Sequence, residues 1–85
     1  MSSDALMKAA FEEAVKAIGG QSAASRSLTE QGHKISQQLL RHHLKVKGRC
    51  PAELVLAFEA MSGVSRYRLR PDVFGDQPAV EARAA

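Results

Sequence analysis

The punctuation of this chain limits its fold more than any other feature. Glycines at Gly19-Gly20, Gly32, Gly48 and Gly63 divide it into pieces of helix length, and within those pieces apolar residues recur at helical spacing. No stretch shows the alternation of a strand. With 85 residues and 45% hydrophobic composition, one domain with a modest core is expected, and its stability margin is thin. The pattern predicts an all-α fold.

Ser3 or Asp4 can cap a first helix. Met7, Ala10, Phe11, Ala14, Val15 and Ile18 then share one face, with Lys8, Glu12, Glu13 and Lys16 toward the other. Gly19-Gly20 ends this helix, because glycine accepts the left-handed conformation of a C-terminal cap. A short second helix runs from Gln21 to Leu28, with Ala23, Ala24 and Leu28 inward. The pattern breaks from Thr29 to Ile35. Ser36 is a good N-cap for a third helix reaching about Lys45, with Leu40, His43 and Leu44 inward and Leu39 at the border. Lys47-Gly48-Arg49 is a turn. Pro51 suits the first position of a fourth helix, with Leu54, Ala57, Phe58 and Met61 inward and Val55 and Leu56 as surplus apolar positions. Ser65 caps a last turn through Leu69, and Pro71 prevents its continuation. Tyr67, Leu69, Val73 and Phe74 fold back as a lid. The sequence therefore divides into a domain over 1–75 and a frayed tail over 76–85.

The net charge of +3 is mild, but its placement is not even. No acidic residue occurs between Glu30 and Glu53, while that gap holds Lys34, Arg41, Lys45, Lys47 and Arg49 with His33, His42 and His43. Such clustering suits a polyanion. On the third helix Gln37, Gln38, Arg41, His42 and Lys45 occupy the arc opposite the leucines. A carboxamide can donate to and accept from adenine at once, and a guanidinium matches the two acceptors of guanine. Gln37, Gln38, Arg41 and His42 are thus candidate base readers. Lys45, Lys47 and Arg49 suit phosphates, as do Gln21 and Ser22 at the amide-rich start of the second helix. Taken singly, each of these has an ordinary surface reading, and the arrangement is more specific than any member.

These residues resemble a family, the YdaS-like, Cro-type prophage regulators. The matching pieces are Gly19-Gly20-Gln21-Ser22, Ile35-Ser36-Gln37-Gln38, Arg49-Cys50-Pro51-Ala52-Glu53, and the closing run Ser65-Arg66-Tyr67-Arg68-Leu69-Arg70-Pro71-Asp72-Val73-Phe74-Gly75. The likeness covers about residues 5–75. It implies a compact five-helix, lambda-repressor-like helix-turn-helix domain. It further implies operator binding, usually as a dimer, with the reading helix carried by Gln37, Gln38, Arg41 and His42. The segment from Thr29 to Ile35 is longer than the tight turn of the simplest such motif. His43 stands where a tryptophan is common in this family.

Three function classes follow. The first is a transcriptional repressor that binds a pseudo-palindromic operator in double-stranded DNA as a homodimer, placing two reading helices one DNA turn apart. The second is a protein-interaction module, such as an antitoxin or anti-repressor, with a toxin or another regulatory protein as partner. The third, an enzyme, is not expected: no nucleophile–base–acid set stands out. Nor is a metal or cofactor expected, since His42 and His43 diverge on a helix and no paired-cysteine spacing occurs. Cys50 is the single cysteine, excluding an intrachain disulfide, and reads as a loop or helix-entry residue. The longest apolar run, Leu54 to Phe58, is too short to span a bilayer. The chain reads as a cytoplasmic protein of bacterial or phage origin.

Overall fold

The computed structural model describes residues 3–75. The tail expected over 76–85 lies outside the described residues. Among them the architecture is all-α, in the order α1 (Ser3–Ile18), α2 (Gln21–Glu30), α3 (Gln37–His42), α4 (Val55–Ser62), α5 (Arg66–Leu69) and α6 (Pro71–Phe74). A π-helical segment, His43–Lys47, prolongs α3, and a 3₁₀ turn, Ala52–Leu54, leads into α4. Among the described residues six α-helical segments thus stand where five were expected. The closing segment splits at Pro71, which starts α6 at its first position, where the missing N–H is no loss.

The longest helix organises the core. Met7, Ala10, Phe11, Ala14 and Val15 of α1 are all buried. Phe11 meets Phe58 of α4 edge to face, with ring centroids 5.4 Å apart and planes at 88°. Ala24 and Leu28 of α2, Leu40 of α3, Leu44 of the π segment and Leu69 of α5 close around this pair. Val55 is fully buried, so it belongs to the core with Leu54 and Phe58, and only Leu56 of the surplus positions is exposed. Of the expected lid, Leu69 is buried and Phe74 packs on the core, but Val73 is exposed.

Several boundaries moved for physical reasons. Asp4 sits within the first turn of α1, where its charge favours the positive helix end, and is not a cap. Helix α2 continues through Thr29 and Glu30, because the backbone ladder stays satisfied up to the Gln31 amide, which donates to the Ser27 carbonyl (3.2 Å), and the Thr29 hydroxyl finds a local acceptor in the Ser25 carbonyl (2.9 Å) without breaking it. Gly32, at φ +92°, then turns the chain. Pro51 adopts an extended ψ of 135° and caps the 3₁₀ turn, one residue before the helical position expected of it. Cys50 stands, as expected, in the loop that enters the 3₁₀ turn, but its side chain lies in the core: it is fully buried, and desolvation pushes its thiol pKa up to about 12, partly offset by Arg70.

Candidate nucleic-acid interface

Helix α3 starts where sequence chemistry says it should. Ser36 is extended (φ −77°, ψ 160°), and its Oγ accepts a hydrogen bond from the Leu39 amide at 3.0 Å. The approach from α2 is braced twice. The Ser25 hydroxyl donates to the Ile35 carbonyl at 2.7 Å, and the His33 amide donates to the Leu28 carbonyl at 2.8 Å. Ile35 itself is buried. The connection over 31–36 is therefore a held loop between two helices.

Leu40 and Leu44 bind this helix to the core, while Gln37, Gln38, Arg41, His42 and Lys45 are all exposed. Residues four apart stack along a helix. Gln37, Arg41 and Lys45 form one such row, and Gln38 and His42 lie in the adjacent one. Lys47 is exposed at the end of the π segment. The segment closes on Gly48, whose left-handed backbone (φ 71°, ψ 21°) lets its amide donate to the His43 carbonyl at 2.8 Å. His43 is half-buried at the core edge. Desolvation lowers its imidazole pKa, His42 and Lys47 add to that, and Glu53 opposes it.

The other expected phosphate contacts, Gln21, Ser22 and Arg49, lie outside α3 and its π segment. Gln21 and Ser22 open α2 after Gly20, a residue with no side chain to cap with. They border an open groove of about 920 Å³ together with Gln37, so the starts of α2 and α3 face one depression. Glu12, Glu13 and Lys16 of α1 line it as well, which the sequence did not reveal. Glu13 is held by a two-pronged contact from Arg68 (2.8 and 3.1 Å), and that hydrogen bonding lowers its carboxyl pKa. Arg49 is half-buried beside two carboxylates. Its guanidinium lies 3.7 Å from Asp72 and 3.9 Å from Asp4, so its charge is partly answered within the protein. Nearby, Arg70 grips Asp72 through two bonds (2.8 and 2.9 Å) and donates to the Cys50 carbonyl at 2.9 Å. These contacts knit the start of α6 to the chain before α4.

Among the described residues no group of three or more His, Cys, Asp or Glu is placed to hold a metal ion. No helix among them is long and apolar enough to cross a membrane.

The fold and this surface define a small all-α protein that presents a capped helix bearing amides and cations and no acid. Residues 11–78 match the model of the family described as Bacterial toxin YdaS, and the chain belongs to that family. The YdaS-like part of the resemblance seen in the sequence is thereby shown over most of the chain. Neither a curated protein nor a solved structure matches it.

Proposed function

We propose that the protein is a sequence-specific DNA-binding regulator of the Cro-type repressor class, which lays α3 in the major groove of an operator. The observation carrying this reading is the face of α3. Gln37, Gln38, Arg41, His42 and Lys45 all project to solvent while Leu40 and Leu44 anchor the helix, and no acidic side chain interrupts the stretch from Gln31 to Ala52. The groove admits one α-helix, and amides and guanidinium groups are the side chains that pair with adenine and guanine edges. Gln37, Gln38, Arg41 and His42 read bases; Lys45 and Lys47 meet phosphates, with Gln21 and Ser22 at the start of α2. Arg49 contributes less than these, because Asp4 and Asp72 compete for it. A homodimer places two copies of α3 about 34 Å apart on a pseudo-palindrome. A protomer with principal extents of 36 × 28 × 19 Å is of a size to set that spacing. The proposed role is binding, with repression by steric exclusion and no chemistry of its own.

The test uses a duplex selected from a random-sequence library by the intact protein, with random DNA as reference. Arg41→Ala should remove about 1–3 kcal/mol of preference for the selected duplex per half-site. Lys47→Ala should weaken both duplexes alike and reduce the slope of log affinity against log salt by about two, one for each protomer. Equal losses on both duplexes for both variants would refute this division of labour.

A partner-bound role is the second reading, favoured by the family's description as a toxin and by the exposed Leu56 on α4. It predicts that a co-expressed toxin or antitoxin changes affinity for the selected duplex while Leu56→Lys abolishes that change.

A further inference from the structure

Val46 is 68% exposed, against 46–52% for Leu6, Leu39, Leu56 and Val73. It lies in the π segment that prolongs α3, between Lys45 and Lys47. The π geometry decides where it points. An α-helix advances 100° per residue, whereas the wider i→i+5 turn advances roughly 85°. Continued as an α-helix from His42, the chain would swing Lys47 back toward the direction of buried Leu40. The slower advance keeps Leu44 over Leu40, keeps Lys47 in solvent, and draws Val46, which the spacing of four already puts in the row of Gln38 and His42, more closely into line with them. The burial pattern agrees, since Leu40 and Leu44 are buried while Gln38, His42, Val46 and Lys47 are exposed.

An apolar side chain thus completes a row of polar ones on the face assigned above to the major groove. In that groove the one apolar group on a base edge is the 5-methyl of thymine. We infer that Val46 is a specificity-determining residue that packs on a thymine methyl, next to the bases met by Gln38 and His42. This rests on the DNA reading of α3. Charge argues for DNA over self-association. A symmetric contact through Val46 would bring Lys45 and Lys47 of two copies together, whereas DNA supplies phosphates to both lysines.

The experiment takes the duplex selected by the intact protein and replaces each thymidine in turn with deoxyuridine, which lacks only the methyl. Wild-type protein should bind about fourfold more weakly at one position per half-site, the worth of one buried methyl group. Val46→Ala, which changes both protomers of the dimer, should bind the thymidine duplex about sixteenfold more weakly, fourfold per half-site, and be indifferent to deoxyuridine at that position. Val46→Thr, which retains a methyl, should stay closer to wild type. Unchanged thermal unfolding of both variants checks the fold. Wild-type indifference to every replacement overturns the inference and leaves the DNA reading standing. So does an equal loss by Val46→Ala on both duplexes; a concurrent change in solution mass would then identify Val46 as a contact with protein. Failure to enrich any duplex overturns the DNA reading, and this inference with it.

Discussion

Replacing Ser36 by alanine tests how α3 is joined to the rest of the molecule. The Ser36 Oγ accepts from the Leu39 amide at 3.0 Å, and its carbonyl accepts from the Leu40 amide at 3.0 Å. Alanine keeps the second bond and removes the first, leaving an exposed helix start one partner short. Loss of such a cap costs about 1 kcal/mol. The first turn cannot open alone without disturbing Leu40, which has no exposed surface, so the loss should appear in global unfolding. For a domain of this size that is a fall of about 4–8 °C in Tm. In urea the midpoint should drop by about 0.5 M, taking a slope near 2 kcal/mol per molar. Ser36→Asp is the contrast. A carboxylate also accepts from the Leu39 amide, and it suits the positive end of the helix. Its Tm should equal or exceed that of wild type, while its affinity for the selected duplex falls because an anion now stands beside Gln37 and Gln38. Thermal unfolding by circular dichroism, paired with duplex titration, reads both effects. An unchanged Tm for Ser36→Ala, with lost exchange protection at Leu39 and Leu40 alone, would show that α3 frays independently and refute the coupling.

Leu40→Ala should destabilise by about 2–5 kcal/mol, seen in urea unfolding, because it leaves a cavity under α3. A loss under 1 kcal/mol would mean that this helix is not core-bound. The Cys50 thiol, buried and raised to about 12, should resist alkylation in native protein near neutral pH and react promptly once unfolded. Rapid native-state labelling would place it outside the core. For Glu59, burial raises the carboxyl pKa, but bonds from the Arg66 amide (2.8 Å) and guanidinium (3.1 Å) outweigh burial and hold it below 4.5. A depressed folded-state pKa contributes stability that is present above the unfolded value and lost as pH falls through the folded one. Stability should therefore drop below about pH 4.5, and Glu59→Gln should flatten that acid limb in Tm measured against pH.

Much of this molecule follows from local rules. The periodicity of α1 named its buried face almost residue for residue, since Met7, Ala10, Phe11, Ala14 and Val15 need only a 3.6-residue repeat to share a side. Ser36 and Ser65 were recognisable as caps, and both serine hydroxyls accept from the amides of the helices they precede. The exposure of Gln37, Gln38, Arg41 and His42 followed from the inward leucines on the same helix. Legibility failed where a residue's fate depends on an element distant in the chain. Arg49 looked free beside Lys47, but Asp4 and Asp72 lie close to it only after α1 and α6 pack. Glu12, Glu13 and Lys16 belong to another helix, so their place beside Gln37 was out of reach of any spacing argument.

Spacing, caps and glycines alone determined that the chain is helical, where most helices begin, and which leucines hide beneath the amide-bearing face. Those outcomes depend on a few neighbouring residues and on steric limits that act within one or two turns. Tertiary packing decided the rest: the burial of Cys50, the pairing of Arg49, and the widened turn after His42 that keeps Lys47 in solvent and tightens the line of Gln38, His42 and Val46. Each of those depends on keeping Leu40, Leu44 and their distant neighbours in one dry core, which no local stretch of sequence can specify.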